Sequence, residues 1–328
     1  MTYKTAHAPH LRRTERASMM SFDVLVALMP LCLCSAVYYG ARPVILVLAG
    51  MLAAVLCETA ACLFMKRAPT VADGSAAVTG GIVGMLLPPT APYWMPVVGA
   101  AFAILVVKMP MGGSGRNLFN PAAAGIAVLT LCFSGTMFRY ADPGQNVPLP
   151  LTGTLAEVIT KTSPAAQLMG GGETLYTPTM LLLGNFPGPI GATAIALLAA
   201  CALYLFSRRS ASPLITLSYL AACAGMAALF PRVAGTGHSV LMELCSGYLL
   251  FAGVFLLNDP VTAPRHWLGR LLYGALAGVL VMLLRYYGRF EEGACFAVLL
   301  ANTFAPAIDR LGWYLLNFHR IRKGARSG

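Results

Sequence analysis

Charged side chains are scarce in this 328-residue chain, and acidic ones are the scarcest. Only 11% of the residues are charged, and Asp and Glu together number 12, whereas soluble domains carry roughly 25% charged residues. The chain is 58% hydrophobic, with a mean hydropathy of +0.71. This composition excludes a soluble protein and indicates an integral membrane protein. Because the first twenty residues are polar and basic, we predict that the first apolar run is a retained span, not a cleaved signal peptide.

Several chemical motifs are also missing. The sequence has no Cys-x-x-Cys pair, no glycine fingerprint of a dinucleotide site and no grouping of nucleophile, base and acid. The nine cysteines all lie in apolar runs, where they are expected to pack as small hydrophobes. The alternative is a thiolate ligand shared across a subunit interface. The sequence therefore predicts no catalytic residue, no metal site and no nucleotide site held by this chain alone.

Ten apolar runs approach the length of about 20 residues that spans a membrane. The third and eighth are short or interrupted by glycine, and interruptions at corresponding places in two halves are typical of inverted-repeat transporter folds. With five spans in each half, the second half must enter the membrane from the opposite side. We predict an all-α polytopic membrane protein of about ten transmembrane helices in two inverted five-helix repeats. The predicted spans are 22–40, 43–65, 76–89, 93–110, 121–137, 180–206, 212–231, 240–257, 268–287 and 293–317.

The net charge of +11 comes from basic residues that cluster at the ends of these runs. With the N-terminus in the cytoplasm, most of the 23 Lys and Arg residues fall on the cytoplasmic side, as topology rules require. We therefore predict a multi-pass protein of the inner membrane that contacts lipid, binds no nucleic acid and has both termini in the cytoplasm. The predicted domains are a tail at 1–20, a first repeat at 21–137, an extracytoplasmic loop at 138–178, a second repeat at 179–317 and a basic tail at 318–328.

A polar segment, GGSGRNLFNPA at residues 112–122, lies between two of the apolar runs. We call it the elbow. Glycine lets the backbone bend closely, Asn117 and Asn120 offer amide donors and acceptors, and Pro121 suits the first turn of a helix. These features predict a ligand site at a helix start. The alternative is a flexible loop between two spans.

Three acids inside or beside the predicted spans are candidates for an ion path, because intramembrane charges often mark such paths. Glu58 lies deepest, while Asp23 and Asp259 lie near span ends. For all three the alternative is a structural role in helix capping or salt bridges.

Five long blocks of the sequence resemble a known family. The chain resembles the RnfD/NqrB family over nearly its whole length, and it is most similar to the RnfD member of the Rnf ion-translocating electron transport complex. The resemblance implies a fold similar to that of urea channels. The matching blocks are 73–108, 112–122 (GGSGRNLFNPA), 181–193 (LLLGNFPGPIGAT), 257–274 (LNDPVTAPRHWLGRLLYG) and 296–310.

The resemblance implies two flavins. One is FMN joined through its phosphate to a hydroxyl in a motif that aligns with residues 157–164, where Ser163 takes the acceptor position and Thr162 and Thr160 are the other hydroxyls. Glu157, Lys161 and Thr162 depart from the family motif, so an ordinary loop without covalent flavin remains the alternative.

The other implied flavin is non-covalent riboflavin at the elbow. The paired asparagines, Asn117 and Asn120, match the family's positions for it. Phe119 is expected to pack on the ring, and Arg116 is expected to add positive charge beside it.

The implied function is electron relay between flavins in a Na⁺- or H⁺-translocating ferredoxin:NAD⁺ oxidoreductase. The partners would be the C, G, E, A and B subunits of an Rnf-type complex, which leaves this chain a subunit and not a stand-alone enzyme. Two alternatives stay open: a small-solute channel, and a scaffold subunit that has lost its cofactor.

Overall fold

The computed structural model describes residues 17–67, 71–113, 115–149, 158–171 and 175–324, and these are predominantly helical. The helices are α1 (Ala17–Tyr39), α2 (Arg42–Phe64), α3 (Ser75–Met85), α4 (Trp94–Phe102), α5 (Pro121–Cys132), α6 (Ser134–Met137), α7 (Pro164–Met169), α8 (Pro178–Leu183), α9 (Ile195–Ser207), α10 (Pro213–Leu229), α11 (Thr236–Cys245), α12 (Leu249–Phe251), α13 (Trp267–Tyr287) and α14 (Ala294–Gly324). Helices α4 and α12 continue as π-helical turns over Ala103–Lys108 and Ala252–Leu256. Strands β1 (Tyr140–Ala141) and β2 (Thr160–Lys161) form an antiparallel pair.

Within the described residues, four helices are long and apolar enough to cross a membrane: α1, α2, α13 and the first part of α14. Helix α11 and the α12 segment would make a fifth span, bent by 67° at residues 246–248. Five further apolar helices are shorter than 18 residues; they are α3, α4 with its π-helical turn, α5, α9 and α10. The protein is therefore a helical multi-pass membrane protein, as predicted. The count of ten transmembrane helices and the inverted repeat remain predictions.

One predicted span was wrong. Residues 180–206 do not form a continuous helix, because α8 ends at Leu183 and α9 begins only at Ile195. Gly184 ends α8 in the left-handed region, with φ at +87°, which glycine adopts readily. The two prolines that follow, Pro187 and Pro189, lack backbone N–H groups and keep the chain from resuming the helix.

Glycine lets helices pack backbone to backbone in the core. A Cβ placed on Gly80 of α3 would overlap the backbone carbonyl of Gly50 on α2. In a second helix pair, a Cβ on Gly274 of α13 would lie 2.5 Å from the carbonyl oxygen of Ile215 on α10. Close packing through small residues is the usual way membrane helices associate. The first contact fixes α3, which forms one wall of the elbow cavity described below.

The ends of two short helices are capped by distant parts of the chain. At the C-terminal end of α3, the carbonyls of Met85 and Leu87 accept hydrogen bonds from the backbone N–H groups of Gly191 and Ile190, at 2.7 and 3.0 Å. The carbonyl of Leu256, at the end of the second π-helical turn, accepts one from the side-chain amide of Asn120 at 2.8 Å. Because the last carbonyls of a helix have no partner within it, these contacts let both helices end inside the protein.

Candidate functional site

The elbow opens into a cavity of about 260 Å³, which we call the elbow cavity. Its walls come from the start of α1, from α3, from the elbow and from the segment that follows the second π-helical turn. The end of the first π-helical turn also contributes to the lining. The polar side chains in the lining include Ser75, Lys108, Asn117, Asn120 and Asp259. The volume lies just below the range of about 300–1,000 Å³ usual for small-ligand sites.

The two elbow asparagines have different roles. Both polar atoms of the Asn120 side chain are hydrogen-bonded within the protein. Its Oδ1 accepts a hydrogen bond from the backbone N–H of Ala123 at 3.1 Å, which caps α5, and its Nδ2 donates to the backbone carbonyl of Leu256. Asn117 Oδ1 is buried and has no hydrogen-bond partner within the described residues. Since buried polar atoms are nearly always paired, Asn117 is the asparagine whose side chain is available to a ligand.

The other elbow residues lie beside this cavity. Arg116 is exposed, and its Cδ packs within 2.9 Å of where a Cβ on Gly112 would be. Phe119 is half-buried. Neither side chain belongs to the lining found over the described part of the chain. The elbow therefore presents Asn117 and Asn120 to the cavity and directs Arg116 elsewhere.

Glu58, the deepest predicted acid, is fully buried and paired. Its Oε2 lies 2.7 Å from the Nζ of Lys108, whose side chain is only 2% exposed. Lys108 also donates to the hydroxyl of Ser75 at 2.7 Å, and both Lys108 and Ser75 line the elbow cavity. Lys108 was not among the predicted site residues, although a lysine inside the predicted span 93–110 indicates a buried charge that needs a partner.

The other two predicted acids hold local structure. Asp23 on α1 accepts hydrogen bonds from Arg208 at 3.0 Å and Ser210 at 2.5 Å, so it joins α1 to the end of α9. Asp259 accepts from the backbone N–H of Val261 and the hydroxyl of Thr262, both at 3.3 Å. Asp259 nevertheless lines the elbow cavity.

A second cavity, of about 370 Å³, surrounds Ser163, and we call it the Ser163 cavity. Ser163 is the N-cap of α7, where its Oγ accepts a hydrogen bond from the backbone N–H of Ala166 at 3.1 Å. The same hydroxyl donates to Oε2 of Glu291 at 2.5 Å. Burial raises the pKa of Glu291 to about 7, although the hydrogen bond from Ser163 opposes the rise. Sequence reasoning missed Glu291, which is 128 residues away.

The other hydroxyls of the predicted attachment motif also line the Ser163 cavity. Thr160 and Thr162 are exposed, while Ser163 is only 3% exposed. Lys161 points its ammonium to the carboxylate of Asp142, 2.7 Å away. Glu157, the first residue of the motif, lies outside the described residues.

Aromatic and basic side chains complete the Ser163 cavity. The ring of Phe290 stacks between those of Phe138 and Phe296, with centroid distances of 5.9 and 6.2 Å. Arg139 and Arg289 are exposed and line the same cavity. The cavity thus combines a hydroxyl, an aromatic face and positive charge.

A buried charge cluster lies behind the Ser163 cavity. Arg285 at the end of α13 binds the carboxylates of Glu243 and Glu292, at 3.1 and 3.0 Å. It also donates to the hydroxyl and the backbone carbonyl of Ser246. Arg232 reaches Glu243 from the other side at 3.6 Å. This cluster anchors the segment that carries Glu291, next in sequence to Glu292.

The two cavities lie at opposite ends of α1. Met20, Ser21 and Val24, at the start of α1, line the elbow cavity. At the other end, the carbonyls of Tyr38 and Tyr39 accept hydrogen bonds from the loop that follows β1, and β1 pairs with β2 beside Ser163. Helix α1 has 23 residues, which corresponds to about 35 Å at 1.5 Å per residue.

Comparison with known proteins gives a consistent result. A model of the NQR2, RnfD, RnfE family matches residues 4–312. The D component of the ion-translocating oxidoreductase complex of Shewanella sediminis is 33% identical over 339 residues, covering 94% of this chain and 96% of that protein. The protein of the same name from Halorhodospira halophila is 32% identical, with 92% and 91% covered. The D component of the proton-translocating ferredoxin:NAD(+) oxidoreductase complex of Clostridium ljungdahlii is 30% identical, with 94% of each chain covered.

Proposed function

The chain belongs to the NQR2, RnfD, RnfE family, and on that basis we propose that it is the flavin-carrying membrane subunit of an ion-translocating ferredoxin:NAD⁺ oxidoreductase. It would work in the inner membrane with the other subunits of an Rnf-type complex. The names of its relatives, each the D subunit of an oxidoreductase complex, support the partnership with other subunits. The observation that carries the proposal is the pair of cavities at opposite ends of a membrane-length helix, each lined by residues suited to a flavin. When bound, flavins accept and pass on electrons.

At the elbow cavity, the orphaned Oδ1 of Asn117 supports the proposal most directly. The edge of an isoalloxazine ring carries donors and acceptors that an amide can satisfy. Asn117 would hold that edge, while Asn120 keeps the elbow in place through its bonds to α5 and Leu256. Lys108 would supply the positive charge that sequence reasoning assigned to Arg116.

At the Ser163 cavity, we propose that Ser163 is the acceptor of the FMN phosphoester. Its hydroxyl lines the cavity and is oriented by Glu291. The exposed guanidinium groups of Arg139 and Arg289 suit a phosphate, because arginine can bind phosphate oxygens through two donors at once. Phe290 offers an aromatic face for a flavin ring. Thr162 is the alternative acceptor, since its side chain lines the same cavity and is more exposed.

The fold that would hold these sites is two inverted five-helix repeats. The four long helices, the bent pair and the five shorter apolar helices are consistent with that arrangement. A repeated sequence also supports it: residues 86–92 read LLPPTAP and residues 256–264 read LLNDPVTAP, and each follows one of the two short helices whose ends are capped from a distance. In this arrangement the elbow cavity would face the cytoplasm and the Ser163 cavity the opposite side.

The test is flavin content, measured separately for the two sites. The purified complex is denatured, its subunits are separated on a gel, and the band of this chain is examined for flavin fluorescence. A flavin mass on the peptide that holds Ser163, absent in Ser163→Ala and kept in Thr162→Ala, is the expected result. A wild-type chain with neither covalent nor extractable flavin would refute the proposal and favour a scaffold or a solute channel.

A further inference from the structure

The ion pair of Lys108 and Glu58 lies directly behind the elbow cavity. Lys108 lines the cavity, whereas Glu58, which pairs with it at 2.7 Å, is not among the described lining residues. We propose that the ammonium of Lys108 sets the electrostatic potential at a ligand in the elbow cavity, and that the carboxylate of Glu58 reduces that potential. The inference rests on the proposed function for the identity of the ligand, a flavin.

The backbone at Lys108 supports a role beyond packing. Lys108 is the last residue of the first π-helical turn, and such turns are rare and often found at functional sites. The second π-helical turn, Ala252–Leu256, ends at the same cavity, where Phe255 lines it. Two departures from α-helical geometry therefore meet at one small cavity.

The charges around the cavity make Lys108 the cation best placed to act on a ligand. Among the described lining residues, the other ionisable side chains are those of Asp73 and Asp259, and both are acids. Arg116 is exposed and directed elsewhere. A ligand that gains negative charge in the cavity would therefore be stabilised by Lys108.

Glu58 opposes that stabilisation. At 2.7 Å from the ammonium, its carboxylate cancels most of the field that Lys108 would exert on the cavity, because the two opposite charges form a short dipole. Charges so deeply buried are screened little by salt or water. Removing either partner leaves a net charge, and the sign of that charge depends on which partner was removed. This gives two variants with opposite expected effects.

The experiment measures the midpoint potential of the non-covalent flavin in the purified complex, by spectroelectrochemical titration. In Glu58→Gln the remaining cation should bind the reduced flavin at least tenfold more tightly relative to the oxidised one, which raises a two-electron potential by about 30 mV. Lys108→Met should lower the potential by a similar amount. The double variant, which restores neutrality, should lie near the wild type.

Controls separate this inference from the proposed function. Lys66→Met removes an exposed lysine and should leave the potential unchanged. The double variant also covers the case in which a single variant does not assemble, because it leaves no buried charge without a partner. The inference alone is overturned if the flavin is present at normal content and its potential either does not change in Lys108→Met and Glu58→Gln or shifts in the same direction in both. A wild-type complex without non-covalent flavin refutes the proposed function instead.

Discussion

Glu291 makes the stability of the Ser163 cavity depend on pH. The carboxyl is 7% exposed and accepts the hydroxyl of Ser163. Burial raises its pKa from 4.5 to about 7, the neighbouring carboxylate of Glu292 adds to the rise, and the hydrogen bond from Ser163 and the charge of Arg285 oppose it. The informative perturbation is Glu291→Gln, because the amide has the same shape, can still accept the Ser163 hydroxyl and carries no charge at any pH.

The sign follows from the direction of the shift. A carboxyl whose pKa is higher in the folded protein binds its proton more tightly there, so its contribution to stability is complete below pH 4.5 and is lost as the pH rises through about 7. A rise from 4.5 to about 7, at 1.36 kcal/mol per pKa unit, corresponds to roughly 3 kcal/mol. Relative to Glu291→Gln, the wild type should therefore lose up to about 3 kcal/mol of stability between pH 4.5 and pH 8.

The assay compares apparent Tm values of the two proteins, both prepared without covalent flavin so that the Ser163 hydroxyl is free, in one detergent across this pH range. Taking the difference between them cancels the titration of every group they share. Asp142→Asn is the matched control, because Asp142 forms a partly exposed pair with Lys161 near the same cavity, and pairs at the surface contribute little to stability. A difference between wild type and Glu291→Gln that stays constant from pH 4.5 to pH 8 would show that the carboxyl titrates at its ordinary pKa.

Three further predictions concern residues whose surroundings are well defined. Arg285→Met should cost about 3–5 kcal/mol of stability, because it leaves the buried carboxylate of Glu292 without its cationic partner and leaves Glu243 only the more distant Arg232. The exposed Arg265→Met should change thermal unfolding little. Gly80→Ala should lower the yield of folded protein in detergent, because its Cβ would overlap a backbone carbonyl of α2. The control is Gly225→Ala on α10, where the space around the glycine is open. This control should be neutral or should stabilise the protein by up to about 1 kcal/mol. Asn117→Leu should remove acid-extractable flavin from the complex without changing fluorescence on the denatured band; normal extractable flavin would exclude Asn117 from the site.

Local chemistry predicted the elbow well. Asn120 followed by Pro121 is a helix-start signal, and α5 begins at Pro121 with Asn120 as its cap. The prediction of a helix start was therefore confirmed. The sequence could not distinguish the roles of the two asparagines, because the bond from Asn120 to Leu256 crosses 136 residues. That bond depends on where the second π-helical turn ends in space.

The predicted spans show the same limit. Hydropathy predicted the bounds of α1, α2 and α13 to within a few residues, because a long apolar run with polar ends indicates a membrane-spanning helix and no other element. It failed at 180–206, where apolar residues continue past Gly184 but the helix does not. The apolar loop there is buried because its N–H groups cap α3. Hydropathy reports only that a segment is buried, and burial in this loop comes from tertiary contacts with α3.

The contacts of Lys161 and Ser163 indicate which departures from the family's attachment motif affect flavin attachment. Lys161 stands where the motif has a small residue, but its ammonium pairs with Asp142 and its side chain is 53% exposed. Glu291 is the residue that accepts the Ser163 hydroxyl. A phosphoester on Ser163 would remove the donated proton and set a phosphate beside the carboxyl. Attachment should therefore be favoured when Glu291 is protonated. Above pH 7, Glu291→Gln should be flavinylated at least as fully as the wild type. Lys161→Ala, by contrast, should change the covalent flavin content little. The mass of the Ser163 peptide in the two variants decides between the carboxyl and the altered motif as the element that governs attachment.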